Sequence, residues 1–167
     1  FTHTTLMRVG IQGAEVPPSE KKPANIVFLV DVSGSMGSHD KLPLAKLVIS
    51  EALNSLSPTD TVAIVTYAGH ESVALVPTKA VQKSKILKVV STLGASGSTA
   101  GQKGLALAYD QAEAGFIEGG VNHVIMCTDG DFNVGISNTN DLVDFIRKKR
   151  ETGVTFTALG FGAGNLN

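Results

Sequence analysis

Residues 26–38 read IVFLVDVSGSMGS. Ile26 to Asp31 form a continuous apolar run ending in a carboxylate, the pattern of a strand covered on both faces. A polar tail follows at once: Ser33 and Ser35 at alternate positions, with Gly34 and Gly37 between and after them. In an extended segment, residues i, i+2 and i+4 share one side, so the reading predicts that Asp31, Ser33 and Ser35 face one point. The glycines permit the tight path this needs.

Working outward, 61–68 (TVAIVTYA) is a second buried strand and 72–77 (SVALVP) a third. The gap between them is too short for a parallel crossover, so the third strand must return antiparallel. Residues 121–129 (VNHVIMCTD) and 154–162 (VTFTALGFG) are the fourth and fifth strands. Helices are predicted over 40–56, 83–93, 102–117 and 139–153, the last with Thr139 or Asn140 near its N-cap and Gly153 at its end. The fold class is therefore α/β: a three-layer, Rossmann-like sandwich. It has a mostly parallel central sheet, one short antiparallel edge strand, and helices on both faces.

Direction of travel then places the loops. The first, second and fourth strands end at one rim of the sheet. The antiparallel strand carries the chain down, so the helix after it climbs and delivers 94–101 (GASGSTAG) to that same rim. Asp31, Ser33, Ser35, Thr99 and Asp129 thus arrive together. With strand order 3-2-1-4-5, the first and fourth strands are neighbours whose connections leave in opposite directions. A crevice opens there, flanked by Asp31 and Asp129.

Two carboxylates and three hydroxyls make an all-oxygen cluster suited to a hard divalent cation. Two Asp balance the ion's charge, and the shell is left open to an outside ligand. Helix N-termini near Asp40 and Gly101 favour an incoming anion, and a carboxylate from a partner protein meets both conditions.

DVSGSM, the Thr of GSTAG and the Asp of CTDGD resemble the metal-ion-dependent adhesion site of the von Willebrand factor type A (vWA) domain, over about residues 25–167. The phrases TDGDFNVG and GFGAGNLN, with RVGIQG and VPP, are similar to a bacterial subgroup found in cell-envelope proteins. The resemblance implies that Ser33, Ser35 and Thr99 ligate Mg²⁺ (or Mn²⁺ or Ca²⁺) directly, while Asp31 and Asp129 act through water. It implies protein–protein binding, in adhesion or scaffolding, rather than catalysis, and an extracytoplasmic or envelope setting. The family continues through one more strand and a final helix, which this sequence lacks.

Other features are weighed against this. The chain has 167 residues, 43% hydrophobic, with a net charge of −1. That suffices for one domain with a core and suggests no nucleic-acid surface. No run of about 18 apolar residues exists to span a membrane. The single cysteine, Cys127, sits in an apolar run and reads as a buried thiol. Residues 1–24 form an N-terminal strand (5–12) and a Pro-rich linker ahead of the 25–167 domain. The sequence begins at Phe1 without a signal peptide and reads as a piece of a longer chain.

GSTAGQKG has the wrong order for a phosphate loop, and Ser35 lacks a nucleophile-elbow context. A metal-dependent phosphohydrolase would need a second acid where Ser33 stands. A structural domain holding no ion is the remaining alternative. His39, His70 and RKKR (147–150) read as solvated. Phe132 reads equally well as an interface anchor or as a packed loop residue. The fifth strand is apolar on both faces and reads as interior. With no charge or Pro to protect its free edge, the sequence predicts self-association through 154–162.

Overall fold

The computed structural model describes residues 21–97, 103–130 and 139–163. Five strands form one sheet in the order β3-β2-β1-β4-β5, as the direction-of-travel argument requires. They are β1 (Ala24–Asp31), β2 (Thr61–Tyr67), β3 (Glu71–Lys79), β4 (Val121–Thr128) and β5 (Val154–Gly160). β1 pairs in parallel with β2 and β4, β4 in parallel with β5, and β2 antiparallel with β3. The helices are α1 (Leu42–Ser55), α2 (Lys83–Thr92), α3 (Gly104–Ala114) and α4 (Thr139–Glu151).

The apolar run of β1 is buried on both sides because its alternate residues serve two separate cores. Phe28 and Val30 pack with Ile49 and Leu53 of α1 and with Ile86 and Val90 of α2. Val27 and Leu29 pack with Leu105, Ala108 and Tyr109 of α3, with Phe145 and Ile146 of α4 at the margin. These two cores make the three layers. Cys127 is fully buried in the first of them, and burial pushes its thiol pKa up to about 12. No helix among the described residues is long and apolar enough to cross a membrane.

Three expectations need correction. The antiparallel edge strand is not short: β3 has 9 residues, more than any other strand among the described residues. Pro77 looked like its end, but an edge strand tolerates a residue without an N–H. Thr78 and Lys79 therefore continue the ladder to Val62 and Thr61, across a register irregularity near Ile64. The long helix is narrower than 102–117. It ends at Ala114, and its C-cap Gly115 lies tight against the sheet, where a Cβ would stand 2.6 Å from Asn25 Oδ1. Finally, β5 does not behave as an interior strand. Among the described residues it pairs only with β4. Thr155, Thr157 and Ala158 are exposed, and Val154 is its one fully buried residue. The N-terminal strand (5–12) lies outside the described residues.

Candidate metal centre

β1 and β4 end side by side, and each delivers a carboxylate to the rim. Asp31 is 0% exposed and Asp129 2% exposed. Asp31 closes the β1–β2 register opposite Tyr67, and Val32 N–H continues that ladder by donating to Tyr67 O at 3.0 Å. The chain then turns over Gly34–Gly37 in a single 3₁₀ turn. Convergence therefore does not come from an extended segment. Asp31 Oδ1 accepts the Ser33 N–H at 2.8 Å, a local turn that aspartate favours. The 3₁₀ turn then brings the Ser33 and Ser35 hydroxyls within 3.1 Å of each other. Met36, fully buried, anchors the turn in the core.

The loop leaving α2 is stitched to this turn. Ser96 N–H donates to Val32 O at 2.8 Å, and Gly34 N–H donates to Gly97 O at 3.1 Å. A Cβ on Gly34 would stand 3.4 Å from that carbonyl, so a small residue suits the contact. The loop leaving α2 thus reaches the predicted rim at Ser96 and Gly97. Thr99 and Phe132 lie outside the described residues, as does Gly101. Of the two expected helix N-termini, α1 begins at Leu42 and α3 at Gly104.

The electrostatics are unbalanced. Burial, with a further push from the charge of Asp129, holds the Asp31 carboxyl above its ordinary pKa of 3.8, against relief from Ser33 and Tyr67. Asp31 Oδ2 is buried without a hydrogen-bond partner of normal geometry among the described residues. Such an oxygen is costly unless something satisfies it. Burial and the nearby Asp31 charge raise the Tyr67 hydroxyl pKa strongly, keeping it neutral. No three His, Cys, Asp or Glu gather among the described residues, so a cation here would rely on hydroxyls as well as the two carboxylates. The donor set is all oxygen, includes two carboxylates and holds a buried carboxylate oxygen with no partner of normal geometry among the described residues. It fits a hard divalent ion.

Two residues at the rim escaped the sequence reading. Lys41 Nζ donates to Asp129 Oδ2 at 2.9 Å and to Ser35 O at 3.0 Å. Tyr67 faces Asp31 from the next strand. Neither carries a sequence signal: Lys41 reads as part of a helix start and Tyr67 as the end of a strand. His39 and His70 are exposed, as expected. Lys149 of the RKKR run is less solvated than expected, reaching Glu113 at 2.7 Å. A cleft of about 450 Å³ lies at the opposite end of the sheet, bordered by Ala24, Leu56, Asp60 and Val121. Asp60 is satisfied there by the Ala24 and Ser57 N–H groups.

The family profile of the von Willebrand factor type A domain matches residues 25–167. Uncharacterized protein YfbK of Escherichia coli is 42% identical over 163 residues, covering 98% of this chain and 28% of YfbK. The chain therefore spans under a third of that relative. Proximal thread matrix protein 1 from the mussel byssus, solved with a zinc-occupied MIDAS motif, superposes with a TM-score of 0.67 at 22% identity. That match covers 84% of this chain and 38% of the mussel chain. An aerotolerance-related membrane protein from Bacteroides fragilis matches with a TM-score of 0.60 at 22% identity, over 83% of this chain and 68% of its own. With the two-core sandwich, the strand order and the paired carboxylates all in place, the chain belongs to the von Willebrand factor type A family.

Proposed function

We propose that this domain is a metal-dependent protein-interaction module. Asp31, Ser33, Ser35, Thr99 and Asp129 would hold Mg²⁺ (or Mn²⁺ or Ca²⁺), and an Asp or Glu of a partner protein would complete the shell. The observation that carries this reading is the buried Asp31 carboxylate beside Asp129, with one oxygen lacking a hydrogen-bond partner of normal geometry among the described residues. Thr99 is assigned from its position two residues beyond the stitched Gly97. The zinc at the MIDAS motif of the mussel protein supports a divalent ion at this place in the fold. The bound ion supplies a positive centre for a carboxylate. Ser33 stands where a phosphohydrolase would need its second acid, which favours binding over catalysis. The Bacteroides fragilis relative, a membrane protein by name, supports an envelope setting.

The test is capture of the partner on immobilised domain in Mg²⁺ or in EDTA. Thr99→Ala and Asp129→Ala are each expected to lose the interaction, and EDTA to mimic them. Binding that survives chelation overturns the reading and places the contact on other rim residues.

A second surface expectation concerns β5. Its outer edge pairs with nothing among the described residues and carries no charge over 154–160. The 167-residue chain is expected to self-associate through it. Light scattering checks this against Thr157→Lys, which blunts the edge; a monodisperse monomer at high concentration contradicts it.

A further inference from the structure

Lys41 is placed as a built part of the rim. Its side chain is only 14% exposed. Its ammonium lies 2.9 Å from Asp129 Oδ2 and 3.0 Å from Ser35 O. Its stem is held from above by the segment that follows β5. A Cβ on Gly162 would lie 2.8 Å from Lys41 Cε and 3.3 Å from Cγ, and Gly162 has φ +96°. That segment is pinned at both ends: Phe161 N–H donates to Thr128 O at 2.8 Å, and Ala163 N–H to Asp40 Oδ2 at 3.2 Å. The positive φ suits a glycine, and any side chain there would also have to push the lysine stem aside.

We infer that Lys41 is the resident counter-cation of the carboxylate pair, and that a divalent ion entering the rim displaces its ammonium from Asp129. The inference rests on the metal reading above. Asp129 lies near enough to Asp31 for their charges to interact, and Lys41 joins Asp129 to the carbonyl of Ser35, whose hydroxyl lies 3.1 Å from that of Ser33. Two cations drawing on one nearly buried carboxylate repel each other, and little water is present to screen them. Lys41 therefore sets the affinity of the rim for divalent ions. It keeps Asp129 charge-balanced while the ion is away, and its departure from Asp129 offsets part of the ion's binding free energy.

The experiment is Mn²⁺ titration by calorimetry on wild type, Lys41→Met and Lys41→Arg. Lys41→Met keeps the stem's packing and removes the charge. It is expected to bind Mn²⁺ at least tenfold more tightly than wild type and to be less stable without the ion. Lys41→Arg is expected to stay within about threefold of wild type. Wild type that binds Mn²⁺ with Lys41→Met no tighter overturns the inference and leaves the metal reading standing. No Mn²⁺ binding in any variant overturns both. A readout on wild type alone covers the case in which Lys41→Met does not fold. Labelling with a lysine-selective reagent, followed by mass spectrometry, is expected to modify Lys41 several-fold faster in Mn²⁺ than in EDTA. Equal or slower modification in Mn²⁺ overturns the displacement.

Discussion

Millimolar Mg²⁺ or Mn²⁺ is expected to raise the melting temperature of this domain. An ion that binds only the folded chain stabilises it by about 2.7 kcal/mol at a hundredfold excess over its dissociation constant. For a domain of this size that is a shift of about 5–10 °C. Asp31→Ala is expected to abolish the shift. The variant itself should remain folded: it removes a carboxylate whose ionised form burial already disfavours, at the loss of the acceptor for Ser33 N–H and of the contact with Tyr67. The pH dependence has a definite sign. Because the Asp31 carboxyl is held above 3.8, protons compete with the ion at a higher pH than at an ordinary aspartate. The ion-induced shift should therefore be smaller at pH 5 than at pH 7. Differential scanning fluorimetry with and without EDTA measures both effects. A metal response in Asp31→Ala equal to wild type removes the ion from this rim.

Gly104→Val is the second large effect expected, and it links packing to the site. Gly104 opens α3 close against the sheet. A Cβ there would stand 2.9 Å from Tyr67 Cβ and 3.3 Å from Tyr67 Cγ, with Leu29 Cδ1 at 3.5 Å. Tyr67 and Leu29 are both 0% exposed, so neither can swing into solvent. Overpacking of this kind costs about 1–3 kcal/mol, and the branched side chain should place Val at the upper end. Unfolding in urea would show the loss as a lower midpoint with an unchanged slope. Because Tyr67 also faces Asp31, the variant should lose Mn²⁺ affinity as well as stability. A fully stable Gly104→Val would mean that α3 shifts outward without cost.

The sheet order was legible because one short gap decides it. Only three residues separate β2 from β3, which forces a hairpin, and every later direction follows. Asp31 and Asp129 were legible for the same reason: each ends an apolar run, and the topology makes those runs neighbours. The way Ser33 and Ser35 converge was not legible. Alternation in sequence suggested an extended path, whereas an aspartate-capped turn and a 3₁₀ turn produce the arrangement. β3 ran past Pro77 because tertiary position at the edge outweighs a local breaker. Lys41 was invisible for a different reason. One partner, Asp129, lies 88 residues away; the other is the Ser35 carbonyl, and a backbone acceptor leaves no trace in sequence.

The central place of β1 also has a mechanical meaning. β1 registers with β2 from Asn25 to Asp31 and with β4 from Ala24 to Val30. A pull applied at Asp31 along the strand runs across the interstrand hydrogen bonds. Both ladders are then loaded in shear, and many bonds must yield together before the strand can slide. The same pull on an edge strand would meet one ladder. A tether fastened at this rim would hang from the part of the sheet best able to bear it.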